Sequence, residues 1–202
     1  MKEGWIYLPL FLLYRIMETK EIIEEIKFLF ALKGNENYGE NVTQQEHAIQ
    51  CYQLAVSAKA DLNLRVAAFL HDIGHLKYQD EEGREKDMKH ENWGSTLVKR
   101  WGFGEEVASL ILTHVWAKRY LVSCEPFYIN RLSAASLRSF QLQGGLMTDE
   151  EVEAAKNHPY FHKALMLRRW DDTGKQIDIE SEIPESVWAD LTECLMVNRS
   201  FD

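Results

Sequence analysis

Apolar residues recur at helical spacing along most of the chain. Between Met17 and Leu32, Ile22, Ile23, Ile26, Leu29 and Phe30 make one stripe while Lys and Glu fill the other positions. "TQQE", Thr43 to Glu46, is a capping box that opens a helix running to about Ala58. "DLNLRVAAFLHD", from Asp61, reads as a buried helix closed near Gly74. The charged stretch "KYQDEEGREKDMK", with its acidic run Asp80 to Asp87, reads as a solvated loop, and a helix begins near His90 and ends at "WGFG". Two further helices are "EEVASLILTHVWAKRYL" and "RLSAASLRSFQL", the latter terminated by Gly144 and Gly145. "TDEE", from Thr148, is a second capping box; "FHKALMLRRWDD" follows, and Pro184 opens "PESVWADLTECLM". Runs of alternating Val, Ile and Thr are missing, so the pattern predicts an all-α helical bundle rather than a parallel sheet.

No internal repeat or low-complexity tract divides the chain, and only four prolines punctuate it, so residues 17–202 read as one domain. The preceding segment "WIYLPLFLLYRI", Trp5 to Ile16, is short for a membrane span, is interrupted by Pro9 and lacks a small-residue cleavage site. Residues 1–16 therefore read as a packed or poorly ordered leader, with Met17 as an alternative start and no stable membrane anchor expected. At 202 residues and 46% apolar content the chain can bury a core without staples. A net charge of -9 excludes a broad basic footprint, so no nucleic-acid partner is expected, and an anionic ligand would need locally placed Lys or Arg. The three cysteines, Cys51, Cys124 and Cys194, are widely spaced, odd in number and free of any CxxC pair. They suggest neither a disulfide framework nor a thiolate zinc site, and point to the cytoplasm. The oligomeric state is left open.

Candidate chemistry concentrates in the seven histidines. His47, His71, His75, His90 and His114 lie on or beside predicted apolar helices, whereas His158 and His162 flank "HPYFH", as exposed residues or a local cap. "FLHDIGH" sets His71 beside Asp72 at the end of an apolar helix, where an unpaired carboxylate is costly to bury. A metal removes that cost; so would a cap or a basic partner. His47, the pair His71 and Asp72, His90, His114 and the later Asp171 fall on separate predicted helices. Imidazoles and carboxylates without cysteine favour iron, manganese, cobalt or zinc.

The order H…HD…H…H…D, from Glu40 to Asp171, resembles the HD-domain superfamily, in which the two extra histidines, His90 and His114, mark members that hold two metals. Most such proteins are metal-dependent phosphohydrolases; a smaller branch contains di-iron oxygenases. The stretches "GENVTQQEHAIQC", "AAFLHDIGH", "HVWAKRYLVS", "LSAASLRSFQLQGG" and "RRWDDTGKQID" are similar to the PhnZ-type mixed-valence di-iron phosphonate oxygenases of that branch. That resemblance implies an HD-domain helical bundle in which His47, His71, Asp72 and Asp171 bind one iron while Asp72, His90 and His114 bind the other, Asp72 bridging. It also implies an Fe(II)/Fe(III) pair, O2 as co-substrate, and oxidative cleavage of the C–P bond of a small α-hydroxy(amino)alkylphosphonate with release of phosphate.

Lys118 lies four residues after His114 and Arg168 three before Asp171, so each cation shares a helical face with a candidate ligand. An Arg fork and a Lys point charge suit a phosphonate; ordinary surface solvation is the other reading. The resemblance implies that Ser136, Ser139 and Gln143 complete the phosphonate hydrogen bonds, that His75 contacts substrate, and that Glu40 meets a substrate amine. For the serines the alternative is helix capping or local backbone bonding, and for His75 a hydrogen-bonded helix terminus. Where the family carries a lid tyrosine that caps an iron, this chain has Asn37, with Tyr38 one residue along; either the lid shifts by a residue or that tyrosine is lacking. Trp93, Trp101, Trp116 and Trp170 read as core, while Arg119 and Tyr120 line the pocket or pack outside it. The rival readings are a phosphohydrolase on the same six ligands, a ring-opening cyclitol oxygenase, which leaves Lys118, Ser136 and Arg168 unexplained, and a silent binding module, against which all six ligands are retained.

Overall fold

Capping chemistry sets the helix starts as the sequence predicts. Thr43 accepts from the Glu46 amide at 3.2 Å while the Glu46 carboxylate accepts from the Thr43 amide at 2.8 Å. Thr148 and Glu151 repeat the exchange, and Asp61 accepts from the Leu64 amide at 3.0 Å. The computed structural model describes residues 17–37, 40–77, 89–177, 179 and 181–199. The leader 1–16, Tyr38 and the acidic run 80–87 lie outside them. Among the described residues there are ten α-helices and no strand: α1 (Thr19–Lys33), α2 (Gln44–Ser57), α3 (Leu62–Leu70), α4 (Ile73–Lys77), α5 (His90–Trp101), α6 (Gly104–Cys124), α7 (Ala134–Leu142), α8 (Asp149–Lys156), α9 (Phe161–Thr173) and α10 (Glu185–Arg199). None of them is long and apolar enough to cross a membrane.

Helix α6 runs through the middle, packed against α3, α5 and α9. Its Val107, Leu110 and Ile111 join Phe69, Leu70, Val98, Trp101, Phe103, Leu167 and Leu191 in one buried cluster. Each such large side chain contributes on the order of 1.5–3 kcal/mol by leaving water. Asp190 of α10 ties two other helices together, receiving a forked pair from Arg65 of α3 at 2.7 and 3.0 Å and the Tyr52 hydroxyl of α2 at 2.8 Å.

Two expectations need correction. The helix from Asp61 stops at Leu70 rather than near Gly74; the chain turns at His71 and Asp72 and re-enters a short helix, α4, that contains Gly74. Gly74 is there for contact rather than for termination: a Cβ on it would stand 2.1 Å from the His90 carbonyl oxygen, so its lack of a side chain lets α5 begin directly against α4. Trp93 is not core. It lies on the outer face of α5 and is 46% exposed, whereas Trp101 is buried and Trp116 and Trp170 are partly buried against the core.

Gly74→Ala is expected to lower folding stability by about 1–3 kcal/mol, because the backbone of α5 must yield to the new methyl. That loss outweighs the roughly 1 kcal/mol of helix propensity gained by alanine. Gly94→Ala should cost less, since its Cβ would meet a side-chain atom of Ile111 at 3.1 Å. Urea unfolding of the two variants checks this ranking, and an unchanged Gly74→Ala midpoint would contradict it.

Candidate metal centre

Three of the four histidines of the cluster are fixed by a backbone carbonyl through the nitrogen they turn away from the centre. His47, inside the first turns of α2, has Nδ1 2.8 Å from the Gly174 carbonyl at the end of α9. His71 donates through Nδ1 to Ala68 at 2.9 Å and His114 to Ile111 at 2.6 Å, each using a carbonyl three residues back. His90, the first residue of α5, has Nδ1 3.7 Å from the Glu91 carboxylate. A carbonyl only accepts, so Nδ1 carries a proton in His47, His71 and His114, and Nε2 is the atom each ring turns to the centre.

The Nε2 atoms converge on Asp72. Its Oδ2 lies 3.8 Å from His47 Nε2 and 3.6 Å from His71 Nε2. Its Oδ1 lies 3.5 Å from His90 Nε2 and 3.7 Å from His114 Nε2. Asp171 closes the first pair, at 3.4 Å from His47 Nε2 and 3.8 Å from His71 Nε2. Within the pairs the Nε2 atoms are only 3.2 Å apart for His47 and His71 and 3.0 Å for His90 and His114. Nε2 atoms this close need a proton or a metal cation between them, since two bare lone pairs would repel. The donor set therefore fits one cation on either side of Asp72, with nitrogen and oxygen ligands of the kind iron or manganese accepts. Cys51 Sγ lies 3.9 and 3.8 Å from the two ring nitrogens of His47, on the bisector between them and ahead of neither lone pair. It packs beside the site.

The electrostatics agree. Burial lowers the His71 pKa, and burial reinforced by His90 and His71 pushes His114 down to about 3, so both rings stay neutral. Burial alone would raise Asp72, but His71, His75 and His90 hold it far below the usual carboxylate range. Asp171 is likewise depressed against its burial, by Arg168 and then His47. For His47 burial is outweighed by Cys51 and Asp171, which raise its pKa and leave a proton where a cation would sit.

A cationic and hydroxyl-rich face adjoins the centre. Lys118, one turn beyond His114 and 3% exposed, donates to Ser139 Oγ at 2.7 Å. Ser139 is bonded in turn to the Ser136 carbonyl at 3.2 Å, and Gln143 closes α7 with its amide on the Ser139 carbonyl at 2.9 Å. Arg168 is equally buried, but its guanidinium already meets carboxylates: Nη1 lies 2.5 Å from Asp171, and the Nε and Nη2 edge grips Asp172, which also accepts from the Tyr128 hydroxyl. His75 stacks on His90 with ring centroids 4.0 Å apart and planes 18° from parallel. Glu40 accepts from the Ser133 hydroxyl and from Lys175 Nζ, the latter at 2.6 Å. Asn37 is exposed. Arg119 packs outside this face, binding Glu151 and the Gly145 carbonyl, and Tyr120 meets Phe161 edge to face. His158 caps locally, with Nδ1 accepting from the Tyr160 amide at 3.2 Å, while His162 is exposed.

Several participants escaped the sequence reading. Glu91 had a signal, its adjacency to His90, and Asp172 another, the doubled aspartate of "WDD". Lys175, Ser133 and Gly174 stood inside the stretches "RRWDDTGKQID" and "LSAASLRSFQLQGG" without a role of their own, because their partners are far away in sequence.

The HD-domain family profile matches residues 45–161, more than half of the chain, and the chain belongs to that family. It is 39% identical to the hydroxymethylphosphonate dioxygenase of Gimesia maris over 179 residues, covering 85% of this chain and 89% of that protein. It is 37% identical to the glycine-betaine-forming 1-hydroxy-2-(trimethylamino)ethyl phosphonate dioxygenase of Leisingera caerulea, covering 79% and 83%. A ribonuclease Y of Thermotoga maritima is 34% identical across 88% of this chain, but that match spans only 34% of the nuclease.

A cation entering between His47 and His71 must displace the proton that His47 holds below its raised pKa. Affinity for Mn(II) is therefore expected to rise with pH through the neutral range, by up to about tenfold per unit for one displaced proton. Titrations at about pH 6 and about pH 8 measure it, and equal affinity at both would contradict the assignment.

Proposed function

We propose that residues 17–202 form one HD domain that works as a di-iron oxygenase, cleaving the C–P bond of a small α-hydroxyphosphonate with O2 and releasing phosphate and a carboxylic acid. His47, His71, Asp72 and Asp171 would hold one iron, and Asp72, His90 and His114 the other. The observation that carries this reading is the divided carboxylate of Asp72, each oxygen facing its own pair of imidazoles, next to buried Lys118. The two phosphonate dioxygenases, matched over more than three quarters of this chain, supply the substrate class. When bound, the irons supply Lewis acidity and the redox chemistry of O2.

The chain's own residues bind and orient. Lys118 brings a charge from the His114 face of α6, and its partner Ser139 offers a hydroxyl on α7. Arg168, held by Asp171 and Asp172, presents a fixed guanidinium, which costs little ordering when an anion arrives. Ser136, Gln143 and His75 complete the phosphonate face in this reading, with Glu40 at its far end and Asn37 and Tyr38 at the lid position. The carbonyl-anchored imidazoles keep their ring orientation through turnover, because each Nδ1 proton is already committed. The cysteines Cys51, Cys124 and Cys194 are free thiols, which suits a cytoplasmic enzyme.

A phosphohydrolase using the same ligands is the second reading, and the ribonuclease Y match is what favours it. Oxygen decides between them. With Fe(II) supplied and hydroxymethylphosphonate as substrate, phosphate should appear in air and be absent under argon, with O2 consumed in equal amount. Equal phosphate release in both atmospheres would replace the oxygenase by a hydrolase.

A further inference from the structure

Gln50 is a buried glutamine of α2 whose whole side-chain amide is taken up by one residue. Its Oε1 accepts from the Gln176 amide at 2.8 Å, and its Nε2 donates to the Gln176 carbonyl at 3.1 Å. Bonds to both the donor and the acceptor of one residue fix its orientation as well as its place. Two residues earlier in the same strap, the Gly174 carbonyl meets His47 Nδ1 at 2.8 Å. His47 and Gln50 are three apart on α2, hence on one face of it. Among the described residues, these are the hydrogen bonds that join the main chain of residues 174–176 to α2. The Gly174 and Lys175 amides turn back to α9, onto the Trp170 and Thr173 carbonyls at 2.7 and 2.8 Å, and the Lys175 side chain reaches Ser136 Oγ at 3.0 Å on a flexible stem. The strap lies close against α2: a Cβ on Gly174 would stand 3.0 Å from Cys51 Sγ and 3.3 Å from Gln50 Cβ.

We infer that Gln50 is a positioning residue of the metal centre: by clamping Gln176 it holds the Gly174 carbonyl on His47, and so keeps Nε2 of that ring turned toward Asp72 and Asp171. With the clamp gone, the strap meets α2 through His47 alone, and the ring loses the fixed acceptor that sets its tautomer and its orientation. The effect is confined to one side of Asp72. His71 and His114 take their carbonyls from their own helical turns, at Ala68 and Ile111, and His90 has none of its bonds to the strap. The inference rests on the ligand assignment proposed above, and it holds whether the two metals serve an oxygenase or a hydrolase.

The test titrates the metal-free full chain with Mn(II), following free Mn(II) by EPR, in two backgrounds that each keep one side of the centre. His90→Ala leaves the side of His47, and His71→Ala leaves the side of His90 and His114. Gln50→Leu is expected to weaken Mn(II) binding by about 10–100-fold in the first background and to leave it unchanged in the second. Gly174→Ala moves the strap by a different route, through the new contact with Cys51, and should weaken the same side only; it carries the test if Gln50→Leu does not fold. Unchanged affinity on the His47 side overturns the inference. An equal loss on both sides also overturns it, since that is what a merely structural glutamine would give. If either parent background binds no Mn(II), the ligand assignment itself fails, and this inference with it.

Discussion

Four imidazoles converge on one carboxylate, and the bundle is arranged so that neither of its oxygens is left over. Asp72 would be costly to bury unpaired, and it would be held too loosely on an exposed loop to span two cations. Ending α3 at Leu70 solves both problems: the turn at His71 and Asp72 lifts the carboxylate out of the helical hydrogen-bond pattern while the apolar stretch before it anchors the turn in the core. Helix α2 then brings His47 to one oxygen, and α5 and α6 bring His90 and His114 to the other. The close approach at Gly74 is a consequence of this arrangement, because His90 must start its helix within reach of a residue two positions earlier on α4's entry.

The same economy organises the substrate side. Arg168 and Lys118 are buried cations, and neither is left without polar partners: Arg168 spans Asp171 and Asp172, and Lys118 meets Ser139. Such pairing holds the groups in place before any anion arrives, so less ordering is required on binding.

Much of this was legible in the sequence, and the remainder was hidden for identifiable reasons. The Thr43 and Thr148 capping boxes are local, so their helices start where the sequence puts them. The six candidate ligands were legible because residue type and order carry the signal, and the structure brings all six together. The break between α3 and α4 was not, since glycine after an apolar helix usually means termination and here it means contact with a carbonyl on another helix. Trp93 was misjudged because an apolar stripe does not say how far around the helix the neighbours reach, and this flank of α5 is left 46% exposed. The pairing of Lys175 was not legible, although the residue stands in the matching stretch "RRWDDTGKQID", because its partner Glu40 is 135 residues away.

If Asp72 joins two metals into one unit, iron analysis and EPR of the partly oxidised, iron-loaded protein should find two irons per chain, one for each side of Asp72, and the signal of a spin-coupled mixed-valence pair. A single iron per chain, or two irons whose signals are those of isolated ions, would contradict it.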